Sequence, residues 1–165
     1  MDYFAAQLLS HAVELARSGG RIARQRFGSA VTSLKPDRTP VTDADVLVQD
    51  HILDAIAARY PSHAVLTEEA IRRPERHASF GSAEWCWVID PIDGTRNYAR
   101  GVPSFSVSVG VLHHGQPAVA AVYLPMQNRM YSARLGAGAW CDDTRLHVAD
   151  NPPTADTMIA TPSGQ

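Results

Sequence analysis

Three acidic pairs stand out along the chain: Asp43 and Asp45, Glu68 and Glu69, and Asp90 and Asp93. Each falls at the end of a segment whose pattern predicts a helix or a strand. The third pair is the most informative. An apolar run, Trp85-Cys86-Trp87-Val88-Ile89, leads directly into Asp90-Pro91-Ile92-Asp93-Gly94-Thr95. Carboxylates this close to a buried strand are costly unless hydrogen bonds or a cation satisfy them. Pro91 fixes its own φ and biases Asp90 toward an extended backbone. Gly94 permits a tight turn, and Thr95 places a hydroxyl where a helix or turn can begin. A strand-end aspartate, a turn carbonyl and a second aspartate three residues later form the oxygen-only donor set that a hard cation such as Mg²⁺ takes. If a helix or turn starts after Asp93, the amides of Gly94 and Thr95 form an anion cradle. A cation and an anion cradle together are the equipment of phosphoryl transfer.

Taken singly, the parts have plainer readings. Thr42-Asp43-Ala44-Asp45 has capping-box spacing, so Asp45 alone could serve only to start a helix. Glu68 and Glu69 alone could be a solvated strand end, and Asp93-Gly94 alone a hairpin turn. The string 90–95 as a whole resists such a reading, because it joins two acids, turn chemistry and a hydroxyl directly behind a hydrophobic strand.

The elements that must position these residues can be traced by periodicity. Phe4, Leu8, Ala12, Leu15 and Ile22, widened by Leu9, Val13 and Ala16, predict an amphipathic helix over 3–27. Gly19-Gly20 is a weak spot within it, at about 1 kcal/mol per glycine relative to alanine. Residues 28–41 read as a loop, with Gly28, Pro36, Asp37 and Pro40. A second helix runs over 43–59, its apolar face supplied by Val46, Ile52, Leu53, Ile56 and Ala57. Strands are expected at 64–67, 85–89, 105–112, 118–124 and 130–133, the later ones as hairpins around His114-Gly115 and Met126-Gln127-Asn128. Gly136-Ala137-Gly138 reads as a further turn, and a last strand begins near 157–161. Two helices followed by a run of strands predict an α+β fold, with both helices packed on one face of a largely antiparallel sheet.

Composition bounds the rest. The 165 residues, 45% hydrophobic and 19% charged, suit one globular domain with a real core. A net charge of −2 with scattered cations gives no electrostatic case for nucleic acid or an anionic membrane. The small cluster Arg72, Arg73 and Arg76 reads as a solvated loop. No stretch approaches the ~20 apolar residues of a membrane span, and the N-terminus lacks a signal-peptide pattern. The expectation is a cytoplasmic protein. Cys86 and Cys141 form no CxxC pair, and Cys86, inside its apolar run, reads as a small buried hydrophobe.

The run Trp87 to Tyr98, centred on Asp90-Pro91-Ile92-Asp93-Gly94-Thr95, resembles the signature of the inositol monophosphatase family. The similarity extends to Pro40-Val41-Thr42-Asp43-Ala44-Asp45, to Tyr60-Pro61-Ser62-His63 followed by Thr67-Glu68-Glu69 (Thr67 standing where the family usually has glycine), to Gly101-Val102-Pro103-Ser104-Phe105, and to Gly136-Ala137-Gly138-Ala139. The resemblance implies the first α+β domain of a sugar-phosphatase-like fold and an Mg²⁺-dependent phosphomonoesterase acting on a small phosphorylated polyol or sugar. It implies that Glu68, Asp90 and the carbonyl of Ile92 hold a first metal, and that Asp90 and Asp93 hold a second. Asp45 and Thr95 would orient and deprotonate the attacking water, Gly94 and Thr95 amides would hold the phosphate, and Glu69 would stand beside the site. Li⁺ inhibition and homodimers are implied as well. The family's second half carries a W-D-x-A-A-G segment whose aspartate completes the second metal site. These 165 residues contain no such segment, and Asp142, Asp143, Asp150 and Asp156 do not stand in its context. The expectation is therefore an N-terminal domain over 1–165 without the C-terminal domain. Inositol monophosphate leads as substrate, beside fructose 1,6-bisphosphate, histidinol phosphate and adenosine 3′,5′-bisphosphate. The alternative is an impaired remnant that acts through a partner.

Overall fold

The computed structural model describes residues 2–35, 38–67 and 83–148. Glu68, Glu69, the segment around Arg72, Arg73 and Arg76 expected to be a loop, and the strand expected at 157–161 lie outside the described residues. Helix α1 spans Asp2–Arg26 and helix α2 spans Asp43–Arg59, both close to expectation. Strands β3 (Ala64–Thr67), β4 (Trp85–Asp93), β5 (Ser106–His113), β6 (Gln116–Leu124), β7 (Arg129–Arg134), β8 (Gly138–Cys141) and β9 (Thr144–Leu146) form one seven-stranded sheet in sequence order. The β3–β4 pair is parallel, and every other pair in the sheet is antiparallel. The fold is α+β. Among the described residues no helix is long and apolar enough to cross a membrane.

The core lies between the helices and one face of the sheet. Strand alternation sends Val107, Val109 and Val111 of β5, and Val119, Ala121 and Tyr123 of β6, into it. They meet Leu8, Ala12, Leu15 and Ala16 of α1 and Val48, Ile52, Leu53 and Ile56 of α2. Each large apolar side chain so buried contributes about 1.5–3 kcal/mol. Val48 takes the core position that periodicity gave to Val46, which is only partly buried. Cys86 is 3% exposed, and burial pushes its thiol above its ordinary value, as expected of an inert packing cysteine.

Three local features differ from expectation. Gly19 and Gly20 are not a weak spot but a close approach of α1 to its neighbours. A Cβ on Gly20 would come within 2.4 Å of the Tyr123 ring, and one on Gly19 within 2.9 Å of Val48. The segment 28–41 is not all loop. Thr32–Leu34 (β1) and Pro40–Thr42 (β2) pair as an antiparallel ribbon, which had no hydrophobic alternation to betray it because β1 is wholly exposed. Gly136 to Gly138 turns as expected, yet the chain then continues into β8 and β9, each too short to show a period.

Candidate active site

The ribbon delivers Thr42 to the start of α2. Thr42 has extended backbone, its Oγ1 accepts from the Asp45 amide at 3.4 Å, and Asp45 reaches back in a reciprocal capping box. Asp45 Oδ2 accepts from the Thr42 amide at 2.8 Å and from its hydroxyl at 2.6 Å. The neighbouring Asp43 pairs with Arg26 at the end of α1 and accepts from the Val31 amide at 2.9 Å. Partial desolvation lifts the Asp43 carboxyl, but these hydrogen bonds outweigh it and hold the group below its ordinary value. The start of α2 is thus tied to α1 and to the residue that precedes β1.

The string 90–95 folds as its chemistry suggests. Strand β4 runs through Asp90, paired with Ser108, to Asp93, paired with Ser106. Three steps on β4 match two on β5, so the pair carries a bulge, at the place where Pro91 has no amide to donate. Gly94 follows at φ 92°, and its backbone lies so close to Phe105 and Ser104 that a Cβ would meet the Ser104 carbonyl at 3.1 Å. A short helix α3, Thr95–Ala99, then begins. Tyr98 anchors it: its hydroxyl donates to the Ala23 carbonyl of α1 at 2.7 Å, and its ring meets Phe105 edge-on at 4.8 Å. Burial first, then the negative charges of Asp45 and Asp43, push this phenol up to about 12.

Anchored in this way, Thr95 reaches the capping box of α2. Its Oγ1 lies 2.9 Å from the Ile92 carbonyl and 3.2 Å from Asp45 Oδ1. Asp45 is 1% exposed, and desolvation raises its carboxyl above the ordinary value against the hydrogen bonds from Thr42 and Thr95. Asp45 is therefore both a cap and a partner of Thr95, so the two readings of this residue are compatible. Asp93 is exposed, with the Ser106 hydroxyl 3.4 Å from its Oδ2. It borders a polar hollow of ≈ 280 Å³ shared with Gly94, Asn97, Ser104 and Ser106. Asn97, Ser104 and Ser106 escaped sequence reasoning, since isolated polar residues on a turn and a strand carry no spacing signal. Asp90, the Ile92 carbonyl and Asp93 lie within the last four residues of β4 and offer oxygen donors, the type a hard divalent cation takes, although Asp90 faces the hollow with Thr67 and Ser108 and Asp93 the one with Asn97 and Ser104.

A model of the inositol monophosphatase family matches residues 5–164. The chain is 33% identical over 157 residues to the Nus factor SuhB of Pasteurella multocida, covering 93% of this chain and 57% of that protein. It is 31% identical over 160 residues to inositol monophosphatase 1 of Sus scrofa, covering 96% and 57%. Among solved structures, the IMPase of Thermotoga maritima superposes with a TM-score of 0.78 at 28% identity, covering 88% of this chain and 55% of that one. The chain thus spans little more than half the length of the relatives it matches. With the match running through the capping box, the Asp90–Thr95 turn and the sheet that carries them, this chain belongs to the inositol monophosphatase family.

Proposed function

We propose that the chain forms the metal-bearing half of an Mg²⁺-dependent phosphomonoesterase for a small polyol or sugar phosphate, inositol monophosphate being the leading substrate. The observation that carries this reading is the contact of Thr95 with both Asp45 and the Ile92 carbonyl, at the turn where Asp90 and Asp93 end a buried strand. In this reading residues 1–165 are the N-terminal α+β domain of a longer phosphatase.

Asp90, the Ile92 carbonyl and Asp93, joined by Glu68, would hold the cations, with Glu69 alongside. Bound Mg²⁺ supplies Lewis-acid charge for the phosphoryl oxygens and acidifies a water. The protein's own part is positioning and proton transfer. Thr95 accepts a hydrogen bond from the attacking water and Asp45 takes the proton through the Thr95 hydroxyl. The water oxygen bonds to phosphorus, the ester P–O bond breaks, and the alcohol leaves with a proton from solvent. Gly94 and Thr95 amides hold phosphate oxygens at the head of α3. A buried carboxyl raised above its ordinary value suits a base, because it binds a proton more readily than a solvated one.

The test is phosphate release from inositol 1-phosphate, fructose 1,6-bisphosphate and adenosine 3′,5′-bisphosphate, with and without Mg²⁺. Mg²⁺-dependent release from at least one of them supports the reading. Release from none would favour a second one, in which the fold acts through a partner. That alternative draws its support from a relative named as a Nus factor.

A further inference from the structure

We infer that Glu84, His113 and His114 form a second metal site, for a borderline divalent ion of the Zn²⁺ class, separate from the oxygen-only site at the other end of β4. One ligand atom from each of the three side chains lies within 4.8 Å of the others. Glu84 Oε1 and His113 Nε2 are 3.7 Å apart, too far for a good hydrogen bond. That separation is close to the edge of a tetrahedral zinc site, about 3.3 Å for metal–ligand bonds near 2.0–2.1 Å. Small side-chain rotations close the difference.

The backbone builds the convergence. Glu84 directly precedes β4, and the His114 amide donates to its carbonyl at 2.8 Å, extending the Trp85–His113 register by one residue. Successive residues of a strand point to opposite faces, so His113 and His114 should diverge. They do not, because His114 turns into the left-handed region at φ 49° and leads the tight turn with Gly115. The two imidazoles lie 4.4 Å apart. The Trp85 ring supports His113 at 4.2 Å, and Trp85 is itself packed by Phe4 at 5.2 Å. The carboxylate and one imidazole are open to solvent, which leaves an entry path and room for a water as fourth ligand.

Two imidazoles and a carboxylate suit Zn²⁺, Ni²⁺ or Cu²⁺ and not Mg²⁺. Glu84, just before β4, and Asp90 within it are six residues apart along extended chain, about 20 Å, so one ion cannot serve both ends. A metal here would clip the start of β4 to the β5–β6 turn, closing from the open side a pair of strands that the chain joins only at the other end.

The experiment is a Zn²⁺ titration of the tag-free, metal-stripped 165-residue chain against a chromogenic chelator. Stoichiometric binding is expected, undisturbed by millimolar Mg²⁺. His113→Ala and Glu84→Gln should each weaken it by at least about tenfold, the scale on which even outer-shell losses act. His114→Asn, which tolerates the left-handed turn, should do the same in a chain that retains its fold. Asp90→Asn should leave Zn²⁺ affinity unchanged, whether or not the phosphatase reading holds. Absence of stoichiometric binding, or binding that survives His114→Asn and His113→Ala, overturns the site. Binding lost only in Asp90→Asn overturns it equally, by placing the ion at the other end of the strand.

Discussion

Thr95 Oγ1 lies 3.2 Å from Asp45 Oδ1, across fifty positions of sequence, and the same oxygen lies 2.9 Å from the Ile92 carbonyl. A hydroxyl has one proton and cannot donate to both. With Asp45 ionised, Thr95 turns its proton toward the carboxylate. With Asp45 protonated, the carboxyl donates to Thr95, which in turn donates to Ile92. The pair therefore has two satisfied arrangements that differ by one proton, which is the property a proton relay needs.

Burial raises the Asp45 carboxyl above its unfolded value. Its favourable contribution is thus fully present below the unfolded carboxylate pKa, about 3.9, and is lost as pH rises through the folded value. At neutral pH the folded chain carries the cost of a buried charge. Asp45→Asn keeps the acceptor for the Thr42 amide and removes that cost. In metal-free buffer the variant should be more stable than the parent near pH 7 and should lose the advantage near pH 4. Urea midpoints across this range check it; an advantage independent of pH would contradict it.

If Asp90 and Asp93 hold Mg²⁺ as proposed, the fold should respond to the ion. At a hundred times the dissociation constant, linkage gives about 2.7 kcal/mol. Asp90→Asn should abolish that gain while raising the melting temperature of the metal-free chain. Melting curves with and without millimolar Mg²⁺ decide; a parent melting temperature indifferent to Mg²⁺ would count against the metal assignment.

Gly20→Ala improves helix propensity by about 1 kcal/mol, yet should destabilise the protein. The new Cβ would sit 2.4 Å from a Tyr123 ring that is itself held by a 2.8 Å bond to Asn128. Overpacking of this kind costs about 1–3 kcal/mol. The variant's urea midpoint should fall, with the m-value unchanged.

The His11 and His63 imidazoles are both held below their ordinary value. Burial first, then the Arg59 charge, lowers His11, and burial lowers His63, whose Nδ1 accepts from the Trp87 indole at 3.1 Å. Their stabilising contribution is present above the unfolded imidazole value, about 6.5, and is lost as pH falls through the lower folded values. Stability should decline as pH falls below about 6.5. His11→Phe, which keeps a ring against Tyr60 and Trp87, should flatten that decline. Unfolding free energies at pH 5 and 7 for both proteins check it.

What could be read before folding was what short-range chemistry dictates. The capping box at Thr42–Asp45 and the Asp90–Thr95 turn are local motifs, and both formed as read. Helix α1 showed itself by period because one face is buried, whereas α2, whose buried face includes Asp45 and Gln49, was legible mainly from its capping box. Features made by long-range register stayed hidden. Gly20 and Tyr123 are about a hundred residues apart, and nothing near Gly20 announces a ring above it. Glu84 meets His113 and His114 only because β4 pairs antiparallel with β5. The β1–β2 ribbon had no buried face and hence no pattern. Asp45 itself was legible twice over, as a cap and as a candidate base, and only the placement of Thr95 beside it joins the two.

The most direct test of the Asp45–Thr95 relay is a double-mutant cycle on the Mg²⁺-dependent rate of phosphate release from inositol 1-phosphate, however slow that rate is in this chain. Asp45→Asn and Thr95→Ala should each lower kcat by about 10²–10⁴, the usual scale of general-base loss. Residues acting as one unit are strongly non-additive, so the double variant should be no slower than the slower single one. Losses that multiply, or a rate unmoved by Asp45→Asn, would contradict the relay.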